Sequence, residues 1–249
     1  MRVVPVPNAP AAVAETGDER VLTVADYHAG IEAVLQSEGF ELADGGETRR
    51  RRLGALVEET DPDRLLVLGD FVHAIGKLWE SERAELKVLF ETLTVPVTVV
   101  KGNHDGEIEP FLADIDHDIT VTSVTGTRLG AVGFAHGHTW PAADVLEADV
   151  VCIGHEHPVV RLEDEVGGRR IERVWLRGTL APEPFVERYG DELDISAELV
   201  VFPAFNDRSG GTWVNLDEEQ FLSPFLPEGL RDGELYLLDG TRLGPYEQV

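Results

Sequence analysis

The sequence predicts an α/β fold in which strands that end in polar residues alternate with amphipathic helices. Short β-branched runs at residues 95–100 and 149–153 are typical of buried strands. Between such runs lie stretches with apolar residues at helical spacing, for example residues 79–93. Open α/β sheets place their ligand crevice at the carboxyl ends of the strands, so polar residues at those ends predict a functional site there.

Length and composition favour one acidic domain over residues 1–249. The 249 residues are 43% hydrophobic, which allows a sizeable core. Asp and Glu number 47 against 21 Lys and Arg, and the formal net charge is −26. The acid is spread along the chain, so the surface repels itself unless salt screens it. We hypothesise a high-salt cytoplasm; the same charge argues weakly against tight nucleic-acid binding.

Several protein classes are disfavoured by simple absences in the sequence. No run of about 18 apolar residues predicts a transmembrane helix. Residues 1–10 lack the continuous apolar segment of a secretory signal. Cys152 is the single cysteine, so no intramolecular disulfide can form, and its apolar surroundings predict inert core. Together these observations predict a cytoplasmic protein with no membrane partner.

The elements follow in order along the chain. Residues 11–15 and 20–25 read as a strand, a turn and a strand, and Thr48 is a plausible N-cap for a helix that reaches Thr60. The arginine run at residues 49–52 is interpreted as a solvated, salt-bridged helix face rather than a nucleic-acid contact. The remaining expectations are helices at 30–39, 79–93 and 142–148, strands at 64–68, 95–100, 128–135 and 149–153, and a β-rich part at 159–249 with strands at 159–163, 170–177, 198–202 and 234–238.

Seven of the eight histidines lie at or near predicted strand ends. An Asp-x-His or His-x-His sequence places both side chains on one face if the backbone stays extended. A hydrogen-bonded Asp–His pair or a polar turn would explain any one of these motifs alone. The acidic cluster at residues 114–118 is interpreted as a solvated loop rather than a separate metal site. The motifs at strand ends are Asp26-x-His28, Gly69-Asp70, Asn103-His104-Asp105, His136-Gly137-His138 and His155-x-His157.

These residue types together predict a metal site. Mixed nitrogen and oxygen ligands suit Mn, Fe, Zn, Co or Ni and do not suit Ca or Mg. One ion cannot accept so many ligands, which indicates two ions bridged by a carboxylate. Ions roughly 3.5–4 Å apart would clamp a phosphoryl group and acidify a water molecule. His73, three residues after Asp70, is expected on the substrate side of the site.

The five motifs, in this order over about residues 21–158, resemble those of calcineurin-like metallophosphoesterases. The pattern is most similar to the archaeal SbcD-related (ICC-like) phosphoesterases, and the segment from Pro203 to Asn206 with Gly210-Gly211 resembles their C-terminal part more weakly. The resemblance implies a four-layer α/β sandwich with two mixed β-sheets flanked by helices. It also implies two divalent transition-metal ions, with Mn favoured over Fe, Zn, Ni or Co.

The resemblance further implies a role for each site residue. One metal would be held by Asp26, His28 and His157, and Asp70 would bridge it to the second. Tyr27 stands where the family often has a smaller or aliphatic residue, which affects packing and not ligation. Asn103, His136 and His155 would hold the second metal. His104 would assist the leaving group, and Asp105 would orient His104. His138 would line the site.

The implied reaction is hydrolysis of a small phosphoester, with a phosphodiester favoured. A metal-bridging hydroxide would attack phosphorus in line while His104 assists the leaving alcohol. An SbcD-like DNA nuclease is an alternative that the acidic surface and the missing room for a capping domain disfavour. A non-catalytic metal-binding scaffold is the other alternative, which the intact ligand positions and His104 disfavour.

Overall fold

The computed structural model describes residues 2–163, 167–190, 193–216 and 220–249. Strands and helices alternate in the first half, and strands dominate the second. The strands are β1 (Val3–Pro5), β2 (Ala11–Glu15), β3 (Arg20–Val24), β4 (Arg64–Leu68), β5 (Val97–Val100), β6 (Ile119–Thr122), β7 (Thr127–Leu129), β8 (Val132–Ala135), β9 (Val150–Ile153), β10 (Val159–Glu163), β11 (Arg169–Leu180), β12 (Glu198–Val201), β13 (Leu230–Leu237) and β14 (Arg242–Pro245). The helices are α1 (Ile31–Ser37), α2 (Gly46–Thr60), α3 (Glu80–Thr92), α4 (Ile108–Leu112), α5 (Ala143–Leu146) and α6 (Glu183–Tyr189), and a 3-10 turn covers Tyr246–Gln248.

The strands form two mixed sheets within the described part of the chain. One sheet has the order β1-β2-β3-β4-β5-β6, and its last four strands are parallel. The other has the order β14-β13-β11-β12-β9-β8-β7, with β10 paired to β11. Strands β8, β9 and β12 run parallel at its centre. Both sheets therefore present a row of parallel carboxyl ends at which residues of different strands can meet.

The two sheets and the helices stack in four layers. Alternate residues of β3 to β5 face either the second sheet, as Leu66 does, or helices α2 and α3, as Leu65 does. The core between the sheets also contains Phe134, Cys152 and Trp175. A third core lies on the outer face of the second sheet against α5 and α6. The predicted α/β fold with two mixed sheets flanked by helices is confirmed, and Cys152 is buried core as expected.

Two predicted elements differ in detail from the structure. Residues 128–135 form a hairpin, because Gly130 turns the chain at a φ of 53° and β7 pairs antiparallel with β8. Helix α2 begins at Gly46 rather than after Thr48, and the Asp44 carboxylate accepts the Gly46 N–H at 2.9 Å. No helix among the described residues is long and apolar enough to cross a membrane.

The arginine run on α2 is not uniformly solvated, which corrects the sequence interpretation. Arg51 is exposed and pairs with Glu47 one helical turn earlier. Arg49, in contrast, is buried and binds both Glu32 and Glu85 through its guanidinium group, at 3.0 and 2.7 Å. Its charge is therefore part of the structure that holds α1, α2 and α3 together.

The acidic cluster at residues 114–118 behaves as a surface loop. Its three aspartates are exposed. Nε2 of His117 donates to the Val95 carbonyl oxygen, 2.8 Å away, and the ring lies against Phe90. Within the part of the chain that the structure describes, these residues form no group that could hold a metal ion.

Candidate metal centre

The predicted site residues meet where the parallel strands of both sheets end. Asp26 and His28 follow β3, Asp70 follows β4, and Asn103 to Asp105 follow β5. The second sheet contributes His136 and His138 after β8, and His155 and His157 after β9. Residues far apart in sequence thus come into contact, as between Asp26 and the His155 amide, 129 positions apart, at 3.2 Å.

The backbone at these positions is not extended, contrary to the assumption made from sequence. Positive φ angles are uncommon for residues other than glycine and concentrate at functional sites. Of the eight such non-glycine residues in the described chain, five are site residues, namely Asp26, His28, Asp70, His155 and His157, with φ between 44° and 68°. The side chains converge because single left-handed residues turn each loop, not because of β-strand alternation.

Two glycines are required by the close approach of site side chains. A Cβ on Gly69, which has a φ of 77°, would lie 2.1 Å from Nδ1 of His136. A Cβ on Gly102 would lie 2.1 Å from Oδ1 and 2.3 Å from the backbone nitrogen of Asp70. Any side chain at either position would displace a site residue, so the Gly69-Asp70 and Gly102-Asn103 pairs serve packing as well as turning.

We expect Gly102→Ala to lose bound metal and to lower the melting temperature by about 5 °C or more, because Asp70 cannot move away without breaking its own contacts. Gly106→Ala is the matched control, since the same loop has open space around Gly106. Metal content after dialysis and thermal unfolding of both variants test this. Equal metal content in Gly102→Ala and wild type would contradict it.

A first cluster joins Asp26, His28 and His157. Nε2 of His157 lies 3.1 Å from Oδ1 of Asp26, and the rings of His28 and His157 have centroids 5.3 Å apart. The Nε2 atoms of both histidines are buried and form no hydrogen bond with the described residues. Buried polar atoms without a partner are costly, and here they face a carboxylate in a geometry that suits a shared cation.

A second cluster joins Asp70, His136 and His155. Oδ2 of Asp70 lies 3.4 Å from Nε2 of His136 and 3.9 Å from Nε2 of His28, so this carboxylate stands between the two clusters. Oδ1 of Asn103 lies 3.2 Å from Nε2 of His136. The His136 ring is fixed from behind by the Leu68 carbonyl oxygen, 3.0 Å from its Nδ1. This arrangement leaves Nε2 of His136 directed at Asp70 and Asn103.

The electrostatics separate the imidazoles into two groups. Burial lowers the pKa of His28 to about 3 and that of His155 to about 4, which keeps both neutral and able to ligate. Burial also acts on His136 and His157, but the carboxylates of Asp70 and Asp26 outweigh it and raise the pKa of both, to about 10 for His136. At neutral pH and without metal, the proton on His136 therefore offsets the charge of the neighbouring Asp70 carboxylate.

His104 stands at the edge of this constellation. Its backbone N–H donates to Oδ1 of Asp70 at 2.9 Å, and its Nε2 lies 3.8 Å from Oδ2 of the same carboxylate. The Nδ1 atom forms a hydrogen bond with the carbonyl oxygen of His73. Because a carbonyl oxygen can only accept, Nδ1 bears the proton and Nε2 is presented to the site.

Asp105 orients the loop rather than the His104 ring. Oδ1 accepts the N–H groups of Phe71 and Val72 at 2.8 and 3.2 Å, and Oδ2 accepts the Gly102 N–H at 2.9 Å. Burial and the charge of Asp70 raise its pKa to about 6. The expected contact with the imidazole is taken instead by the His73 carbonyl group, so Asp105 acts on His104 only through the backbone.

The remaining predicted residues surround the clusters. Nδ1 of His73 lies 3.2 Å from Nδ1 of His28, and its ring stacks on His104 with centroids 5.3 Å apart. The His138 ring lies 5.2 Å from that of His136. Glu156 points away from the site, and its carboxylate accepts the N–H groups of Leu222 and Ser223 at 3.0 and 2.7 Å.

Sequence reasoning missed the side chains that hold the first ligand loop. Asn206 is buried and donates through Nδ2 to the carbonyl groups of Tyr27 and His28, at 3.1 and 3.2 Å. Glu85 accepts the Gly30 N–H at 2.9 Å and also binds Arg49. Only the segment from Pro203 to Asn206, singled out for its weaker resemblance, gave a signal; nothing in the sequence separated Glu85 from the other glutamates of α3.

Two mixed sheets with a histidine and carboxylate site at their shared strand ends define an α/β protein with a candidate metal centre. Residues 19–141, just under half of the chain, match the family model described as calcineurin-like phosphoesterase, so this segment is similar to that family. The segment includes Asp26 to His136 of the site, while His155 and His157 lie beyond it.

A comparison with solved structures gave matches to a nuclease and to a phosphoesterase. The crystal structure of nuclease MPE from Pseudomonas putida has 21% identity and a TM-score of 0.54, with 95% of this chain and 97% of that chain covered. The phosphoesterase Yfce from E. coli has 16% identity and a TM-score of 0.40, with 90% and 96% covered. A search of curated protein sequences gave no match. At this identity the Pseudomonas structure supports the fold alone.

Proposed function

We propose that this protein is a phosphoester hydrolase that uses two divalent transition-metal ions, with Mn favoured, and that a phosphodiester is its preferred substrate. The observation that supports this most directly is the position of Asp70 between two separate histidine and carboxylate clusters. The orphaned Nε2 atoms of His28 and His157 fit such ions. One ion would be held by Asp26, His28 and His157. The other ion would be held by Asn103, His136 and His155, and Asp70 would bind both ions.

The reaction divides into parts that this chain's residues perform. When bound, the ions would lower the pKa of a water molecule and neutralise the phosphoryl oxygens. His104 presents Nε2 beside Asp70. Because Nδ1 keeps its proton on the His73 carbonyl group, Nε2 would first take up a proton from solvent, and the resulting imidazolium would donate that proton to the departing oxygen. His73 and His138 flank the ligands on the substrate side and would contact the phosphoryl group. Because a water molecule that has lost a proton would attack phosphorus in line as the alcohol leaves, no covalent enzyme intermediate is required.

A substrate panel tests this proposal against the alternatives. The metal-loaded protein is assayed at high salt with bis-p-nitrophenyl phosphate, p-nitrophenyl phosphate, and single- and double-stranded DNA. Faster turnover of the diester than of the monoester supports a diesterase, whereas cleavage of DNA alone supports the SbcD-like nuclease. No turnover of any substrate by a folded protein that retains its metal would favour the scaffold.

Metal binding is expected to release protons. At pH 7 the raised pKa of about 10 leaves His136 protonated in the metal-free protein, and that proton must leave before Nε2 can ligate. Titration calorimetry with Mn²⁺ in buffers of different ionisation enthalpy should therefore show release of about one proton or more. Affinity should rise with pH between 6 and 8. Binding without proton release would contradict a role for His136 as a ligand.

Salt is expected to stabilise the protein. The net charge of −26 produces repulsion across the surface, which added ions screen. We expect the melting temperature to rise by about 10 °C or more between about 0.1 and about 2 M KCl. Full stability and activity in low salt without divalent ions would contradict the proposed high-salt cytoplasm, which the single cysteine also supports.

A further inference from the structure

Glu82 in α3 is a buried carboxylate that closes the loop between Asp70 and α3. Oε1 accepts the N–H groups of His73 and Ala74, at 2.9 and 2.6 Å, and Oε2 accepts the Trp79 N–H at 2.6 Å. The side chain is fully buried. It forms no ion pair in the described chain. A carboxylate in such a place is tolerated only because three main-chain donors satisfy it, so the loop and Glu82 hold each other in one arrangement.

The same loop determines how His104 is oriented. The carbonyl group of His73, on the residue whose N–H Glu82 binds, accepts the hydrogen bond from Nδ1 of His104. The His73 ring also stacks on the His104 ring at an interplanar angle of 16°. One hydrogen-bonded path therefore runs from the Glu82 carboxylate through the His73 backbone to the imidazole. Its far end is Nε2 of His104, 3.8 Å from Asp70.

We propose that Glu82 is a positioning residue for His104: it fixes the His73 carbonyl group that holds the proton on Nδ1 and so directs Nε2 at the leaving group. This rests on the proposed function of His104. The role is indirect, since Glu82 touches neither cluster. Its loss should impair proton donation to the leaving oxygen more than it impairs metal binding.

Glu85, one turn along the same helix, provides a matched control. Its carboxylate accepts the Gly30 N–H at 2.9 Å and binds Arg49, so it holds the loop that bears His28. Both glutamates are buried, lie on one helix face and bind main-chain amides next to site histidines. Glu82 serves the His104 side of the site and Glu85 serves the metal side. Disturbance of α3 in general would affect both variants alike.

The test measures turnover of metal-loaded protein on methyl aryl phosphodiesters whose phenols span a range of pKa values. Glu82→Gln should lose activity about 10-fold with p-nitrophenol as leaving group and about 100-fold with the most basic phenol. Glu85→Gln should lower the activity by one constant factor, whatever the pKa of the leaving phenol. In a His104→Ala background, Glu82→Gln should cost less than about 2-fold further. A loss that is independent of the leaving group in Glu82→Gln would overturn the proposal.

A second readout does not depend on turnover. Ring ¹⁵N chemical shifts of His104 in Zn²⁺-loaded protein should report the Nδ1–H tautomer in wild type and in Glu85→Gln, and a changed tautomer population in Glu82→Gln. An unchanged tautomer population in Glu82→Gln would overturn the proposal. Failure of the wild-type protein to hydrolyse any of the substrates would contradict only the proposed function, and the tautomer measurement would still test the role of Glu82. Glu82→Asp, one methylene shorter, should behave as Glu82→Gln does and serves if that variant does not fold.

Discussion

Asp70→Asn is expected to lower turnover by about 10³-fold or more and to leave at most one metal ion tightly bound. Oδ2 of Asp70 faces Nε2 of both His136 and His28, so this one carboxylate neutralises charge for both clusters. Loss of an anionic bridge removes several kcal/mol of interaction with the ions, and about 4 kcal/mol corresponds to this factor in rate. The asparagine retains the acceptor for the His104 N–H, which limits disturbance of that loop.

Metal content and turnover at saturating Mn²⁺ measure this effect. Asp116→Asn is the control, because it removes the same charge from an exposed position outside the clusters. Asp70→Asn protein that kept both ions and more than about a tenth of wild-type turnover would show that Asp70 is not the bridge.

His104→Ala is expected to lower turnover by 10²- to 10⁴-fold while metal content stays unchanged, in the range typical of a lost general acid. His104 is absent from the two clusters centred on Asp26 and Asp70 and stands beside them, with Nε2 3.8 Å from Asp70. It forms a third group of possible ligands with His28 and His73, but that group contains no carboxylate. The loss should grow with the basicity of the leaving group, because a poor leaving group depends more on proton donation.

The control is His117→Gln, which changes the one histidine of the chain that lies away from the site; its ring contacts Val95 and Phe90. It should retain wild-type turnover. Loss of metal from His104→Ala, together with equal losses for every leaving group, would instead make His104 a ligand.

The site could be predicted from the sequence because its metal-ligating residue types follow the predicted strands in a recognisable order. Buried strands with β-branched residues are followed by Asp, Asn or His, three of them directly after a glycine, and parallel strand ends must meet. From this alone, residues as distant as Asp26 and His157 could be assigned to one place. The inert burial of Cys152 followed from the same patterns, whereas the two mixed sheets were expected only from the resemblance to a known family.

The parts that sequence reasoning missed depend on tertiary contacts. Left-handed backbone at Asp26 and His28 cannot be read from a β-branched strand that appears to continue. The burial of Arg49 is decided by Glu32 and Glu85, which lie on other helices. Glu82 looks like any acidic residue in the first turn of a helix, yet its carboxylate is enclosed by the loop that it binds.

The most direct test of the account is a titration of metal-free protein with Mn²⁺ at high salt, with hydrolysis of bis-p-nitrophenyl phosphate followed at each step. We expect no turnover without metal, an increase that saturates near about two equivalents, and the same binding curve with little turnover for His104→Ala. Turnover that persists after complete removal of metal, or its absence in folded wild-type protein with both ions bound, would contradict a two-metal phosphodiesterase.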